Sequence, residues 1–316
     1  MTNAIAEQLQ SLIDSEGKLV EFTDAEGYWQ EKITQAVRDS ATNTCLVFPS
    51  TIESLAEIVT WAHQGKYRLI PCGNGSKLDW GGLSQTIDLV VSTQKCDRIL
   101  EQAVGDLTVT VEPGVKLADL QAKLLQTNQF LPIDPAFPES ATIGGILATA
   151  DTGSWRERYG GIRDMVLGIS FIRNDGKIAK AGGKVVKNVA GYDLMKLFTG
   201  SFGTLGIIAE VTLRTYPCPE ASKTVVLTGD NDAIARTMQT LRNSGLTPTA
   251  ADLVSASAID RLGIGKKIGL VIRFQTISQS ITQQIAQLES IARELNLQIS
   301  YYHAVSYTHL RAHETF

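Results

Sequence analysis

Hydrophobic positions along this chain change their spacing several times, and each change marks an element. From Met1 to about Ser40 the apolar residues Ile5, Leu9, Leu12 and Ile13 recur near a 3.6-residue period, which predicts helix. The stretch CLVFPSTIESLAEIVTWAHQGKYRLIPCG then reads as strand, helix, strand. Ser50 or Thr51 is placed to cap that helix, Glu53 and Glu57 lie on its early turns, and Gly65 ends it. TIDLVVS reads as a strand. DLTVTVEPGVKLADLQAKLLQ reads as a strand leading into a helix, with Pro113 and Gly114 at the junction. From Leu131 to Pro217 the chain is rich in glycine. Strands are legible there at MVLGISFIR and LGIIAEVTLRTYP, with a turn at Asp175–Gly176.

Beyond Ser222 the texture alters. KTVVLTG, KKIGLVIRFQ and LQISYYH read as strands, and NDAIARTMQTLRNSG and SITQQIAQLESIARELN as helices. This β-α-β-β-α-β rhythm suits a split βαβ sandwich, with a boundary near Cys218–Pro219. The closing SYTHLRAHETF does not read like the rest. His309 and His313 stand i and i+4 apart, as in a helical metal site, but no third ligand accompanies them. The segment resembles a translated adapter or vector scar. Residues 305–316 are therefore expected to be a non-native tail, and the natural protein is expected to continue.

Composition narrows the function. The net charge of -4 over 316 residues argues against a nucleic-acid binder, which normally presents a basic face. The amino terminus carries an early acid and no apolar run, so a signal peptide is not expected, and no stretch approaches the roughly 20 apolar residues of a membrane span. The expected location is the cytoplasm, with peripheral attachment at the inner face of the cell membrane left open. Cys45, Cys72, Cys96 and Cys218 are widely spaced and form no CxxC, so neither a zinc nor an iron–sulfur site is expected from this chain alone. A core of this size does not need disulfides.

Four glycine-bearing motifs carry the candidate chemistry. PCGNGSK, Pro71 to Lys77, follows a strand. Its glycines admit close main-chain approach, and successive N–H groups in such a turn form an anion site. Ser76 adds a hydroxyl and Lys77 a charge. No helix follows, so it is neither a Walker loop nor a Rossmann fingerprint, and a simple tight turn fits equally well. In DPAFPESATIGGILATADTG, Ser140 or Thr142 is placed to cap a short helix whose small first-turn residues can accept a flat ring or a phosphate; tight helix packing explains the same residues. In RYGGIRDMVLGISFI, a local Arg163–Asp164 pair holding the turn is the plainer reading. The fourth motif is GGKVVKNVAGYDLMKLFTGSFGTLGIIAEVTLR. It places Lys184 and Lys187 beside glycines, then an amphipathic stretch with Tyr192, Leu194, Leu197 and Phe198, then a G-x-x-G-T-x-G turn into a strand.

Singly these motifs say little, but their order and spacing resemble the FAD-binding domain shared by vanillyl-alcohol oxidase, D-lactate dehydrogenases and glycolate oxidase. KVVKNVAGYDLMKLFTGSFGTLG is similar to the FAD-binding subunit of glycolate oxidase. The resemblance covers about Cys45 to Tyr216. It implies an α+β fold: a PCMH-type FAD-binding domain of two subdomains over 41–218, after a helical segment over 1–40, and a partial ferredoxin-like cap over 219–304. It implies that Gly73, Asn74, Gly75 and Ser76, with Lys77 nearby, hold the pyrophosphate of FAD, and that Thr142, Ile143, Gly144 and Gly145 lie along the pyrophosphate and flavin. Gly153, Tyr159, Gly160 and Arg163 would line the cofactor groove. Gly203, Thr204, Gly206, Ile207 and Ile208 would close over the adenine side. Lys187 is the candidate for charge near flavin N1 and C2=O, where a cation raises the potential of reduced flavin.

No histidine lies between His63 and His303, so FAD is expected to be noncovalent; a thioether at Cys72 is the lesser alternative. Oxidation of a 2-hydroxy acid needs a base and a cation for the carboxylate. Arg273 and Arg261 are candidates for the cation, though both fit ordinary surface charges, and no catalytic base is assigned. The implied activity is oxidation of glycolate to glyoxylate by hydride transfer to FAD. The implied partners are a homologous flavoprotein subunit and an iron–sulfur subunit that takes the electrons. A stand-alone D-lactate or other 2-hydroxy-acid dehydrogenase, and a non-catalytic FAD-containing structural subunit, are the alternatives.

Overall fold

A computed structural model describes residues 2–39, 41–184 and 191–302. The chain divides into two compact units. The first comprises residues up to Leu131, Pro135–Asp151 and Gly161–Tyr216; the second comprises Pro132–Asp134, Thr152–Gly160 and the chain from Pro217 onward.

The first unit is built on two main sheets. In one, the strands run in the order Lys18–Glu21, Cys45–Phe48, Leu89–Ser92 and Leu69–Cys72. The last three are parallel to one another and the first is antiparallel. Side chains alternate across this sheet. Cys45, Val47, Leu89 and Val91 meet Leu55, Ile58 and Ala62 of the helix Ile52–Gly65. Leu46, Phe48 and Val90 meet Trp29 and Ile33 of the helix Gly27–Ala36 on the other face. Burial on both faces is why CLVF and LVV are continuously apolar rather than alternating.

The second sheet is antiparallel, ordered Ile99–Ala103, Thr108–Val111, Ile207–Arg214, Val166–Ile172 and Ile178–Gly182. Its Ile172, Ile207 and Ala209 enter the core that holds Cys45 and Leu55, so the two sheets share that core. The hairpin of the last two strands turns at Gly176, with φ 80°.

Helix boundaries follow local chemistry. Thr51 caps Ile52–Gly65 by accepting the Ser54 N–H at 3.1 Å. The helix closes on Lys66 in the left-handed conformation (φ 57°), one residue beyond the expected Gly65. The amino-terminal stretch is not helical throughout. Between the helices Thr2–Gln10 and Gly27–Ala36 lies the strand Lys18–Glu21. Gly17 closes a turn on the Asp14 carbonyl, and the next four residues gain their extended form by pairing with Cys45–Phe48.

The second unit carries a four-stranded antiparallel sheet in the order Ala250–Val254, Ile268–Thr276, Ala221–Gly229 and Gln298–Tyr302. Helices Asn231–Asn243 and Ser278–Glu294 cover one face through Ile234, Leu241, Ile281, Leu288 and Ile291. Val226, Ala250 and Val271 on the other face pack with Ala258 and Ile259 of the helix Ala256–Arg261, and with Trp155. The order is that of a ferredoxin-like sandwich, and Ala250–Val254 supplies the strand that the hydrophobic pattern does not name. No described helix is long and apolar enough to cross a membrane.

Candidate functional site

In the first unit the parallel strand Leu69–Cys72 delivers the chain into the loop Gly73–Lys77, at the carboxyl edge of its sheet. Open α/β sheets place ligands at that edge. A cavity of about 610 Å³ lies there, lined by Gly73–Lys77, by Thr142, Gly144 and Gly145, and by Ser201–Thr204 and Gly206–Ile208. The size is within the range of small-molecule and cofactor sites. Three segments far apart in sequence thus line one concavity.

They are interlocked where side chains are missing. A Cβ on Gly73 would stand 2.0 Å from Thr142 Oγ1, and one on Gly144 would stand 2.7 Å from the Pro113 Cβ. Gly203 has φ +74°, and a Cβ there would lie 2.5 Å from Pro71 Cγ. Thr142 caps the seven-residue helix Ile143–Thr149, accepting the Gly145 N–H at 3.3 Å. That helix leads into the third segment, since the Gly200 and Phe202 N–H groups donate to the Leu147 and Ala148 carbonyls.

Polar groups in this wall are arranged for an anion. Four of the five carbonyls of the first loop are occupied: Ser92 donates to Gly73, Tyr28 to Asn74, Leu78 to Gly75 and Trp80 to Lys77. The Asn74 side chain is tied to the Ser140 carbonyl at 2.7 Å. Among the described residues, no acceptor takes the N–H groups of Asn74, Gly75, Ser76 or Lys77. The Ser201 hydroxyl is buried and likewise has no partner among the described residues. Lys77 is buried and pairs with Asp151 at 3.1 Å; its ammonium lies 5.3 Å from the Trp80 ring centroid. Burial holds the Lys77 ammonium below its usual range, and Asp151 draws it partly back. Burial pushes the Cys72 thiol, on the same wall, up to about 12.

The expected residues fall into separate places. Gly73, Asn74, Gly75, Ser76, Lys77, Thr142, Gly144, Gly145, Gly203, Thr204, Gly206, Ile207 and Ile208 all line the cavity. Ile143 is fully buried beneath it. Gly153, Tyr159 and Gly160 belong to the second unit. Arg163 is exposed, and its turn is held by Asp164 Oδ2 accepting the Gly161 N–H at 2.9 Å rather than by an Arg163–Asp164 pair. Lys187 and the tail from 305 onward lie outside the described residues, while Lys184 pairs with Glu101. In the amphipathic stretch Phe198 is buried, whereas Tyr192 and Leu197 are exposed. Arg273 and Arg261 lie in the second unit. Arg273 is buried, its Nε donating to Ser222 at 3.1 Å and its guanidinium 5.3 Å from the Trp155 ring centroid. Arg261 is exposed at the end of the helix Ala256–Arg261.

Three residues of the site are not singled out by the sequence: Trp80 lies outside the motifs, and Ser201 and Asp151 lie inside them without a role. Trp80 and Ser201 line the wall, and Asp151 holds Lys77. Asp151 stands at the end of the ATIGGILATAD run, but nothing local signals a partner 74 positions away.

This main-chain cradle, with unclaimed N–H groups and a buried lysine, is suited to an anionic ligand. Residues 44–182 match the family described as FAD binding domain. Glycolate oxidase subunit GlcD of Bacillus subtilis (strain 168) is 30% identical over 251 residues, 79% of this chain and 53% of that protein. The probable mitochondrial D-lactate dehydrogenase of Danio rerio is 32% identical over 274 residues, covering 81% of this chain and 54% of its own. Glycolate oxidase subunit GlcE of Escherichia coli (strain K12) is 37% identical over 174 residues, 54% of this chain and 48% of that protein. The chain spans about half the length of these relatives. In structure it is similar to p-cresol methylhydroxylase with substrate bound, at a TM-score of 0.73 and 15% identity over 95% of this chain and 65% of that one. Residues 44–182 are thus an FAD-binding domain, and the fold is that of the PCMH-type FAD-linked oxidases. The residues present fit FAD. The wall offers side-chain-free approach at Gly73, Gly144 and Gly203, unclaimed donors at Asn74–Lys77, and an orphaned hydroxyl at Ser201.

Proposed function

We propose that this chain is the FAD-binding subunit of a complex that oxidises a small 2-hydroxy acid, glycolate to glyoxylate, and passes the electrons to a partner. The observation that carries this reading is the single cavity formed by Gly73–Lys77, the Thr142–Gly145 turn and Ser201–Ile208. Glycolate and D-lactate, named in the relatives, are both 2-hydroxy acids, and two of those relatives are named as subunits of one enzyme.

When bound, FAD supplies a two-electron acceptor for a CH–OH group. The chain's own part is to hold and orient. The Asn74–Lys77 amides and the Ser201 hydroxyl would take the phosphates, and the glycines would let a flat ring lie on the main chain. Binding would be noncovalent, because the Cys72 thiol, raised to about 12, is a weak nucleophile near neutral pH. Arg273 is the candidate cation for a substrate carboxylate, and Lys187 the candidate charge beside the flavin. The electron-accepting partners would be a homologous flavoprotein subunit and an iron–sulfur subunit, in a complex residing in the cytoplasm.

A second reading, a stand-alone D-lactate dehydrogenase, is supported by the D-lactate dehydrogenase among the relatives. Anaerobic titration separates the two. Flavin bleaching by glycolate only in the assembled complex is the expected result. Bleaching of the chain alone by D-lactate selects the second reading. A flavin that neither acid reduces in either preparation leaves a structural subunit and overturns both.

A further inference from the structure

The side chains lining the cavity include one charge, Lys77; every other described residue of the wall is apolar, neutral-polar or glycine. That ammonium is about as buried as a lysine can be, with its side chain 5% exposed. An ammonium has three donors. Asp151 Oδ2 is its one hydrogen-bond partner among the described residues, and Trp80 lies beyond at cation–π distance. The same Asp151 oxygen accepts the Ala136 N–H at 3.0 Å, which fixes the carboxylate from behind. Asp151 itself does not line the cavity. Lys77 also ends the loop whose N–H groups have no acceptor.

We propose that Lys77 is the counter-charge for the diphosphate, and that Asp151 is a positioning residue that keeps this buried lysine protonated and aimed before the nucleotide arrives. The inference rests on the reading of this cavity as the FAD site. Isolated burial of an ammonium is costly and is normally relieved by loss of its proton. Asp151, 3.1 Å away, offsets part of that penalty and so favours the charged form of the lysine. A dinucleotide then finds two unclaimed N–H directions on a cation that need not be charged or reoriented at the moment of binding. Among ligand chemistries a diphosphate answers both features: it brings the negative charge that the wall lacks and enough oxygens for the loop amides as well.

The apo chain, intact, would be titrated with FAD, ADP and riboflavin by calorimetry at two salt concentrations and across pH. Riboflavin carries the ring system without phosphate and reports the rest of the site. Lys77→Met alone strands a buried carboxylate, so the pair Lys77→Met/Asp151→Asn is made beside it, with circular dichroism to show folding. The expected result is a loss of about tenfold or more in ADP and FAD affinity for both, with riboflavin unchanged and the salt dependence reduced. Asp151→Asn alone is expected to bind ADP at mildly acidic pH and to weaken as pH rises, where the wild type stays flat, because its lysine gives up the proton at lower pH. Wild-type-like ADP affinity and salt dependence in the folded double variant would overturn the role of Lys77. A flat pH profile in Asp151→Asn would overturn the role of Asp151. If the wild-type chain bound none of the three ligands, the FAD reading would fail with it; if it bound all three and the variants matched it, this proposal alone would fail.

Discussion

At the scale of single residues, the most informative side chains are those whose surroundings disagree with their chemistry. Asp14 caps the turn before the helix Ile52–Gly65, accepting from the Ser50 N–H at 2.9 Å, from the Ser50 hydroxyl, and from the Thr51 hydroxyl at 3.4 Å. Burial alone would raise its carboxyl. The hydrogen bonds outweigh burial and lower it from 3.8 to about 2. A folded-state pKa below the unfolded one contributes stability that is present above about pH 4 and lost as pH falls through about 2, worth about 1 kcal/mol once solvent screening is discounted. Urea unfolding of Asp14→Asn between pH 6 and pH 2 is expected to show the variant less stable at the upper end and converging on the wild type at the lower. Cys72 gives a second expectation. With its thiol near 12, iodoacetamide at pH 8 should leave it unmodified in the folded chain, and acid precipitation should release flavin rather than leave it on the protein. Flavin that stays attached through precipitation and tracks with Cys72 would contradict the noncovalent assignment.

At the scale of elements, the helix Ile143–Thr149 is capped by the Thr142 hydroxyl and packs against Pro113 where Gly144 has no side chain. Thr142→Ala removes the cap on Gly145 and is expected to cost about 1 kcal/mol. Gly144→Ala drives a methyl toward the Pro113 Cβ and carbonyl and is expected to cost about 1–3 kcal/mol. Both changes should weaken FAD binding more than they lower the melting temperature, because the displaced turn is part of the cavity wall; calorimetry and thermal unfolding on the same samples test this. The helix Ile52–Gly65 was legible because its apolar period runs for fourteen residues between clear boundary signals. Strands Lys18–Glu21, Ile99–Ala103 and Ala250–Val254 were not, because four or five residues with mixed burial carry no periodicity of their own and take their conformation from neighbours paired across the sheet. The glycine loops were visible as composition. Their convergence was not, since the contacts Gly73–Thr142 and Gly203–Pro71 join positions with no local sign of one another.

At the scale of the whole molecule, the cavity lies within the first unit, so nucleotide binding should express itself there. FAD at a hundred times its Kd adds about 2.7 kcal/mol to whatever opens the binding-competent fold. Hydrogen exchange with and without FAD is expected to show added protection in peptides spanning 73–77, 142–149 and 201–208, with little change in peptides from 221–229 and 268–276. Protection confined to the second unit's sheet would place the ligand elsewhere. Relatives about 30% identical align over four-fifths of this chain, and the same scaffold is recognisable in a protein at 15% identity.

The unclaimed donors of the first loop belong to the polypeptide itself, not to any particular amino acid. Swapping one side chain for another at Asn74 or Ser76 therefore cannot erase the amide proposed for the nucleotide. Only a change to the ribbon can, such as an imino acid at Ser76 or a methyl group thrust into Gly73. A saturation library across this loop should thus be intolerant at Gly73 and Gly75 for backbone reasons and at Lys77 for its charge, and permissive, proline apart, at Ser76.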